Sequence, residues 1–189
     1  YREGSEASLA VFEAPLKLRE LNINGESTAY ANLTDITLHK MLGHLPVMLA
    51  AARLIATQQP AQFSLVLPDQ ALAALARQQP GAAMPGLKIA VGGLADELAR
   101  ARVAIACTGT VTLECALFGV PAVALYKTSA LTYHLAKCLV RVKYLAMPNL
   151  LANEAVYPEF IQAAATPQNL AREAGDLLVN EARRLAVQA

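Results

Sequence analysis

A chain of 189 residues, 55% of them hydrophobic and 16% charged, is long enough for one α/β core and too apolar to stay disordered. Its formal net charge of +1 gives no global field that would recruit nucleic acid, so any basic contact must come from a local patch. Three cysteines, Cys107, Cys115 and Cys138, are an odd number without metal-type spacing, which argues for buried thiols in a reducing compartment rather than disulfides. Arg, Gln or Pro interrupts each apolar run before it reaches the ~20 residues of a membrane span. Nothing at Tyr1-Arg2-Glu3-Gly4 reads as a signal peptide. The expectation is a cytoplasmic protein, with contact to a membrane surface left open.

Residues 1–44 are the least regular. Segments 8–12 and 28–33 have strand composition, 14–21 fits a short helix, and Asn22-Ile23-Asn24-Gly25 is a turn. From residue 45 the pattern alternates. Leu45, Met48, Leu49, Ala52 and Ile55 recur at helical spacing, with Pro46 suited to the first turn, so a helix is predicted over 45–57. A buried strand follows at 62–67, closed by Pro68, and Asp69 caps a helix that Pro80-Gly81 terminates. A strand at 87–91, a Gly92-Gly93 turn, a helix over 94–100 and a strand at 103–107 come next. Then come a helix over 110–118 stopped by Gly119, a strand at 122–126 and a longer helix over 131–142. Residues 144–147 look strand-like, and two more helices are predicted over 154–165 and 167–186, the last capped by Thr166.

Strands and helices that alternate through short loops imply parallel strands joined by right-handed crossovers. The strands are continuous apolar runs, as expected when both sheet faces are covered. The predicted fold is therefore a doubly wound, Rossmann-like α/β domain over 45–189, with 1–44 unassigned or contributing strands to the same domain. In this architecture ligands sit beyond the carboxyl ends of the strands. Among the loops there, Gly92-Gly93 could line a base pocket, although a plain turn is the simpler reading.

The loop richest in chemistry is Cys107-Thr-Gly-Thr-Val-Thr-Leu-Glu114. A strand ends, Gly109 permits a tight turn, and a helix begins at once. Its free N–H groups and positive dipole end suit a diphosphate. Thr108, Thr110 and Thr112 add hydroxyls, and Glu114, one turn in, could accept both hydroxyls of a ribose. The plainer alternative is that a threonine caps the helix and Glu114 completes a capping interaction.

The run Thr108-Gly109-Thr110-Val111-Thr112-Leu113-Glu114, with Gly119-Val120-Pro121 behind it, resembles the donor-nucleotide segment of the lipid-A-disaccharide synthase family. The resemblance continues in register through Leu125-Tyr126-Lys127, Leu131-Thr132-Tyr133-His134-Leu135-Ala136-Lys137 and Pro148-Asn149-Leu150-Leu151-Ala152, covering roughly residues 44 to 178. It implies one half of an inverting hexosyltransferase of the GT-B type. Such an enzyme moves a diacylglucosamine from its UDP derivative to a diacylglucosamine 1-phosphate, a step of lipid A biosynthesis. By position, Gly109, Thr110 and Thr112 would hold the diphosphate, Glu114 the ribose, and Asn149 the donor. No cofactor or metal is implied, since helix dipole and basic groups would stabilise the departing diphosphate. The implied partners are the UDP-linked acylated glucosamine, a lipid monosaccharide phosphate and an N-terminal acceptor domain, which 189 residues cannot also contain.

The chain departs from the family pattern before residue 45. An arginine in a Gly-Ser-Arg type loop matters for activity in the family, whereas Thr34-Asp35-Ile36-Thr37-Leu38-His39 stands here; no catalytic residue is assigned. Lys127, Lys137, Arg141 and Lys143 cluster around the apolar helix 131–142, a pattern of either a solvated surface helix or a peripheral contact with an anionic inner-membrane surface. His134, a lone histidine on that helix, is read as a packing residue. Two further readings stay open. One is another UDP-N-acetylglucosamine enzyme, a 2-epimerase or peptidoglycan-type transferase, against which Pro148-Asn149-Leu150-Leu151-Ala152 argues. The other is a non-catalytic UDP-sugar-binding module.

Overall fold

The computed structural model describes residues 8–12, 30–130, 133 and 142–188, with 8–12 and 30–42 as backbone only. Six strands form one sheet: β1 (Ser8–Phe12), β2 (Gln62–Leu67), β3 (Leu87–Val91), β4 (Val103–Cys107), β5 (Ala122–Tyr126) and β6 (Glu159–Ile161). They lie in the order β3-β2-β1-β4-β5-β6, every pair parallel. The helices are α1 (Tyr30–Gln58), α2 (Gln70–Arg77), α3 (Leu94–Leu98), α4 (Thr110–Leu117), α5 (Met147–Ala152), α6 (Pro167–Val179) and α7 (Glu181–Gln188), with a 3₁₀ turn at Gln162–Ala164. The chain builds outward from β1 to β3 and then returns to place β4 on the other side of β1. The strand order therefore reverses between β1 and β4, where a doubly wound sheet opens a crevice at its carboxyl edge.

Strand alternation divides the core into two faces of unequal bulk. Phe63, Leu65, Leu67, Val103, Ile105, Val123 and Leu125 face one way, against Leu45, Met48, Leu49 and Ile55 of α1 and Leu170, Ala174 and Leu177 of α6. Ala104, Ala106 and Ala122 face the other way, toward Leu98, Val111, Cys115 and Tyr157. Small side chains on that second face let α4 lie close to the sheet, which brings its N-terminus directly over the end of β4. Cys107 and Cys115 are buried; Cys138 lies outside the described residues.

Strands β2 to β5 coincide with the predicted segments, and Asp69 and Thr166 cap α2 and α6 as expected. Five expectations fail. Residues from Tyr30 onward are helical rather than a strand over 28–33, and α1 runs on through Pro46 instead of starting there. A proline inside a helix removes one i→i−4 donor and usually kinks or ends it, which is why Pro46 suits a first turn better than the helix interior it occupies. Residues 144–146 are not a strand, and α5 begins at Met147. The edge strand β6 occupies part of the predicted helix 154–165, because Glu159–Ile161 pairs with Ala124, Leu125 and Tyr126. Finally, the predicted helix 167–186 breaks at Asn180, whose side chain accepts from the Arg183 N–H at 3.0 Å and starts α7 anew. The buried Arg184 donates to the carbonyls of Leu177 and Leu178, closing the C-terminus of α6. Of the predicted helix 131–142, residues 131–132 and 134–141 lie outside the described residues, His134 among them.

Candidate functional site

The crevice wall begins where β4 stops. Thr108 extends the ladder by one bond, its N–H donating to Leu125 O at 3.0 Å. Gly109 then turns at φ 142°, ψ −160°, a region that L side chains rarely adopt. A Cβ placed there would meet nothing within 4 Å, so the space beside Gly109 is open.

Helix α4 starts immediately, and no side chain caps it. The contrast within the molecule is informative. Asp69 accepts from Leu72 N–H at 2.8 Å at the head of α2, and Thr166 from Asn169 N–H at 3.2 Å at the head of α6. At α4, the helix aimed into the crevice, Gly109 stands in the cap position and leaves the first-turn donors of Thr110 and Val111 without a side-chain acceptor. Thr110 is exposed beside them.

Glu114 is the fifth residue of α4, so it cannot complete a capping box, which needs the third position. That position is Thr112. The Glu114 carboxylate is half-buried and has no hydrogen bond or ion pair among the described residues. Its neighbour Cys115 is buried, and burial, reinforced by the Glu114 charge, pushes the thiol up to about 12; it is no nucleophile. Burial likewise raises the Tyr157 phenol, whose hydroxyl donates to Val120 O at 2.9 Å.

Two residues expected to touch the donor are turned inward instead. Thr112 is fully buried; its hydroxyl donates to Gly109 O at 2.7 Å and accepts from Met147 N–H at 3.1 Å. It joins the heads of α4 and α5 rather than offering a free donor. Asn149 is also fully buried. Its amide nitrogen donates to Tyr157 O and to Glu159 Oε1, both at 2.7 Å, while its oxygen accepts from Tyr157 N–H at 2.7 Å. Both amide hydrogens are used, so this side chain holds the fold together and has no donor to offer a sugar. Glu159 completes the knot: its carboxylate accepts from the N–H groups of Leu145 and Ala146 at 2.9–3.1 Å, besides Asn149.

The basic cluster is also rearranged. Lys127 leaves β5 half-buried, with its ammonium donating to the carbonyls of Gln162 and Ala165 at 3.2 Å each. That geometry withdraws it from the expected membrane-facing set. Lys143 is exposed, its ammonium 4.9 Å from the Tyr144 ring. Lys137 and Arg141 lie outside the described residues.

Sequence reasoning passed over His44. It is 1% exposed and reaches from α1 to the ends of two strands. Lys127 N–H donates to its Nε2 at 2.7 Å, and Cys107 Sγ lies 3.3 Å from its Nδ1. Gln162 plays a matching part beyond β5, accepting from Thr128 N–H at 3.0 Å and donating to Thr128 O at 3.1 Å. No local pattern announces either residue, since their partners lie 34 to 83 positions away.

A cavity of about 690 Å³, lined by Arg53, Leu54, Ala61, Met84, Pro85 and Pro167 among others, lies at the opposite, amino edge of the sheet. It lacks the convergence of helix terminus and unpaired carboxylate found at α4. Among the described residues no helix is long and apolar enough to cross a membrane.

Residues 41–189 match the family model described as lipid-A-disaccharide synthetase. Lipid-A-disaccharide synthase of Syntrophus aciditrophicus is 35% identical over 173 residues, covering 90% of this chain and 45% of the relative. The enzyme of the same name from Nitrosococcus oceani is 38% identical over 147 residues, covering 76% of this chain and 38% of the relative. The chain thus spans less than half the length of these curated relatives. Among solved structures, a Listeria monocytogenes protein assigned as a UDP-N-acetylglucosamine 2-epimerase superposes with a TM-score of 0.58 at 16% identity, over 98% of this chain and 40% of that one. The spinosyn rhamnosyltransferase SpnG, solved with thymidine diphosphate, gives the same TM-score and identity over 97% and 40%. At that identity the two structures speak to the fold, which they share.

Proposed function

The chain belongs to the lipid-A-disaccharide synthetase family, and from that premise we propose that it supplies the donor-nucleotide half of an inverting glycosyltransferase. In this reading UDP lies across the carboxyl edge at the switch point. The backbone N–H groups of Thr110 and Val111, with the Thr110 hydroxyl, meet the diphosphate in the open space beside Gly109, and Glu114 accepts from the ribose hydroxyls. The reaction transfers a diacylglucosamine from UDP to a diacylglucosamine 1-phosphate bound by a separate acceptor half. As the glycosidic bond to UDP breaks, negative charge grows on the diphosphate. Fixed N–H dipoles at a helix N-terminus stabilise that charge without having to reorganise.

The observation that carries this proposal is the uncapped head of α4, with the Glu114 carboxylate one turn behind it unpaired among the described residues. Isothermal titration is the test. UDP should bind and an adenine nucleotide should bind much more weakly; equal affinities would sink the uridine assignment.

One feature favours a second reading, a UDP-sugar-binding module without turnover. Where the family resemblance calls for an arginine loop, residues 34–39 are helical and contain no arginine. Turnover by the chain mixed with a supplied N-terminal half separates the two. Product formation excludes the module, while UDP binding with no product in that mixture excludes the transferase. A peripheral contact with an anionic membrane, through Lys137, Arg141 and Lys143, belongs to the same proposal. Sedimentation with anionic vesicles at low salt, lost at high salt, is its expected signature.

A further inference from the structure

We propose that His44 is a positioning residue for the nucleotide: a buried two-ended strut that sets the distance between the exits of β4 and β5. This rests on the reading that UDP binds at the head of α4. The β4–β5 ladder closes with the bond from Thr108 N–H to Leu125 O, and the crevice walls begin where it stops. The β4 exit carries Thr108, Gly109 and the α4 donors; the β5 exit carries Lys127 and Thr128. His44 comes from α1, outside the sheet, and bonds to the last residue of one strand and the first residue past the other.

The chemistry of the ring makes the link directional. Nε2 accepts from the Lys127 N–H, so its lone pair is in the ring plane and the proton sits on Nδ1. Nδ1–H then points at Cys107 Sγ, a weak acceptor. A planar imidazole holds these two contacts on opposite sides of a rigid body, which a flexible side chain cannot do. Lys127 is fixed from its other end by the Gln162 and Ala165 carbonyls, and Thr128 by the Gln162 amide. The β5 exit is thus held on the β6 side, and His44, alongside the bond from Thr108 N–H to Leu125 O, references the β4 exit to it. Displacing Gly109 relative to that wall misaligns donors that must meet a diphosphate, and misplacement by about an ångström is costly in such sites.

Two variants and one spectrum test this. His44→Leu keeps the apolar volume and removes both nitrogens; His44→Gln keeps an oxygen able to accept from Lys127 N–H. In calorimetric titrations of the full chain with UDP, unfolded protein lowers the stoichiometry, whereas displaced walls raise the dissociation constant. The expected result is binding roughly tenfold weaker for His44→Leu at preserved stoichiometry, with His44→Gln recovering most of the loss. Folded His44→Leu protein that binds UDP as wild type does, or a His44→Gln no better than His44→Leu, overturns the proposal while leaving the UDP site standing. A wild-type chain that does not bind UDP overturns both. Long-range ¹H–¹⁵N spectra of the imidazole decide independently of ligand and of variant folding: an Nδ1–H tautomer is expected, and an Nε2–H tautomer refutes the strut.

Discussion

The head of α4 and the segment from Leu145 to Glu159 are both built from residues that match the family pattern, yet they treat their polar groups in opposite ways. At α4 the cap is a glycine, the first-turn donors have no side-chain acceptor, and Glu114 has no partner among the described residues. In the second region Asn149, Tyr157 and Glu159 use their hydrogen-bonding capacity on one another and on backbone, largely out of solvent. A recurring motif therefore does not distinguish a ligand-binding group from a scaffold group. Unfilled hydrogen-bonding capacity beside open space does, because a buried polar group left unpaired is unfavourable unless a ligand completes it.

The sharpest way to break this comparison is Asn149→Leu. It leaves Tyr157 N–H and Tyr157 O without their partner and takes one donor from Glu159, so a loss of about 3–5 kcal/mol in urea unfolding is expected. The affinity of the remaining folded protein for UDP should hardly change. A stable Asn149→Leu protein with weakened UDP binding would reverse the assignment. Glu114→Ala is the mirror experiment: roughly 1–3 kcal/mol of UDP affinity should vanish, with thermal unfolding close to wild type. Glu114→Gln should lose less, since it keeps one acceptor oxygen.

Thr112→Val separates hydroxyl from shape. It removes the bonds to Gly109 O and Met147 N–H, and about 1–2 kcal/mol of stability should go with them. A larger effect on UDP affinity than on stability would return Thr112 to the diphosphate. The smallest effect belongs to the ordinary caps. Asp69→Ala should cost about 1 kcal/mol in unfolding free energy and nothing in UDP binding. That fixes the baseline for a helix head whose donors are already satisfied.

The comparison also marks what was legible in the sequence. Strands β2 to β5 were readable to the residue because each is a mostly apolar run, interrupted only by Gln62 and Ser64 in β2 and Lys88 in β3, and bounded by Pro, Gly or a polar turn. Gly109 was readable because a strand–Gly–helix junction has local causes. Edge strand β6 has only three residues, too few for a period, and its neighbours happen to recur at helical spacing. The break at Asn180 looked like a continuation because one polar residue hardly disturbs a helical pattern. The bonds that Thr112, Asn149, Lys127 and His44 make were not legible for one shared reason. The roles of these residues are set by hydrogen bonds to Met147, Tyr157, Ala165 and Cys107, which only the folded chain brings within reach.

The position of β1 has a consequence for assembly. It is the sole strand bonded to both β2 and β4, so β3-β2 and β4-β5-β6 are two separate ribbons until it is inserted. Among the described residues it is also the earliest strand, and its second partner lies beyond the whole first ribbon in sequence. Closing such a distant parallel pair carries a loop-closure entropy that must be met before any contact compensates it. Sheet closure should therefore come late in refolding, after the helices and the two ribbons have formed. A fragment trimmed to the stretch from residue 41 onward would have no strand with which to close.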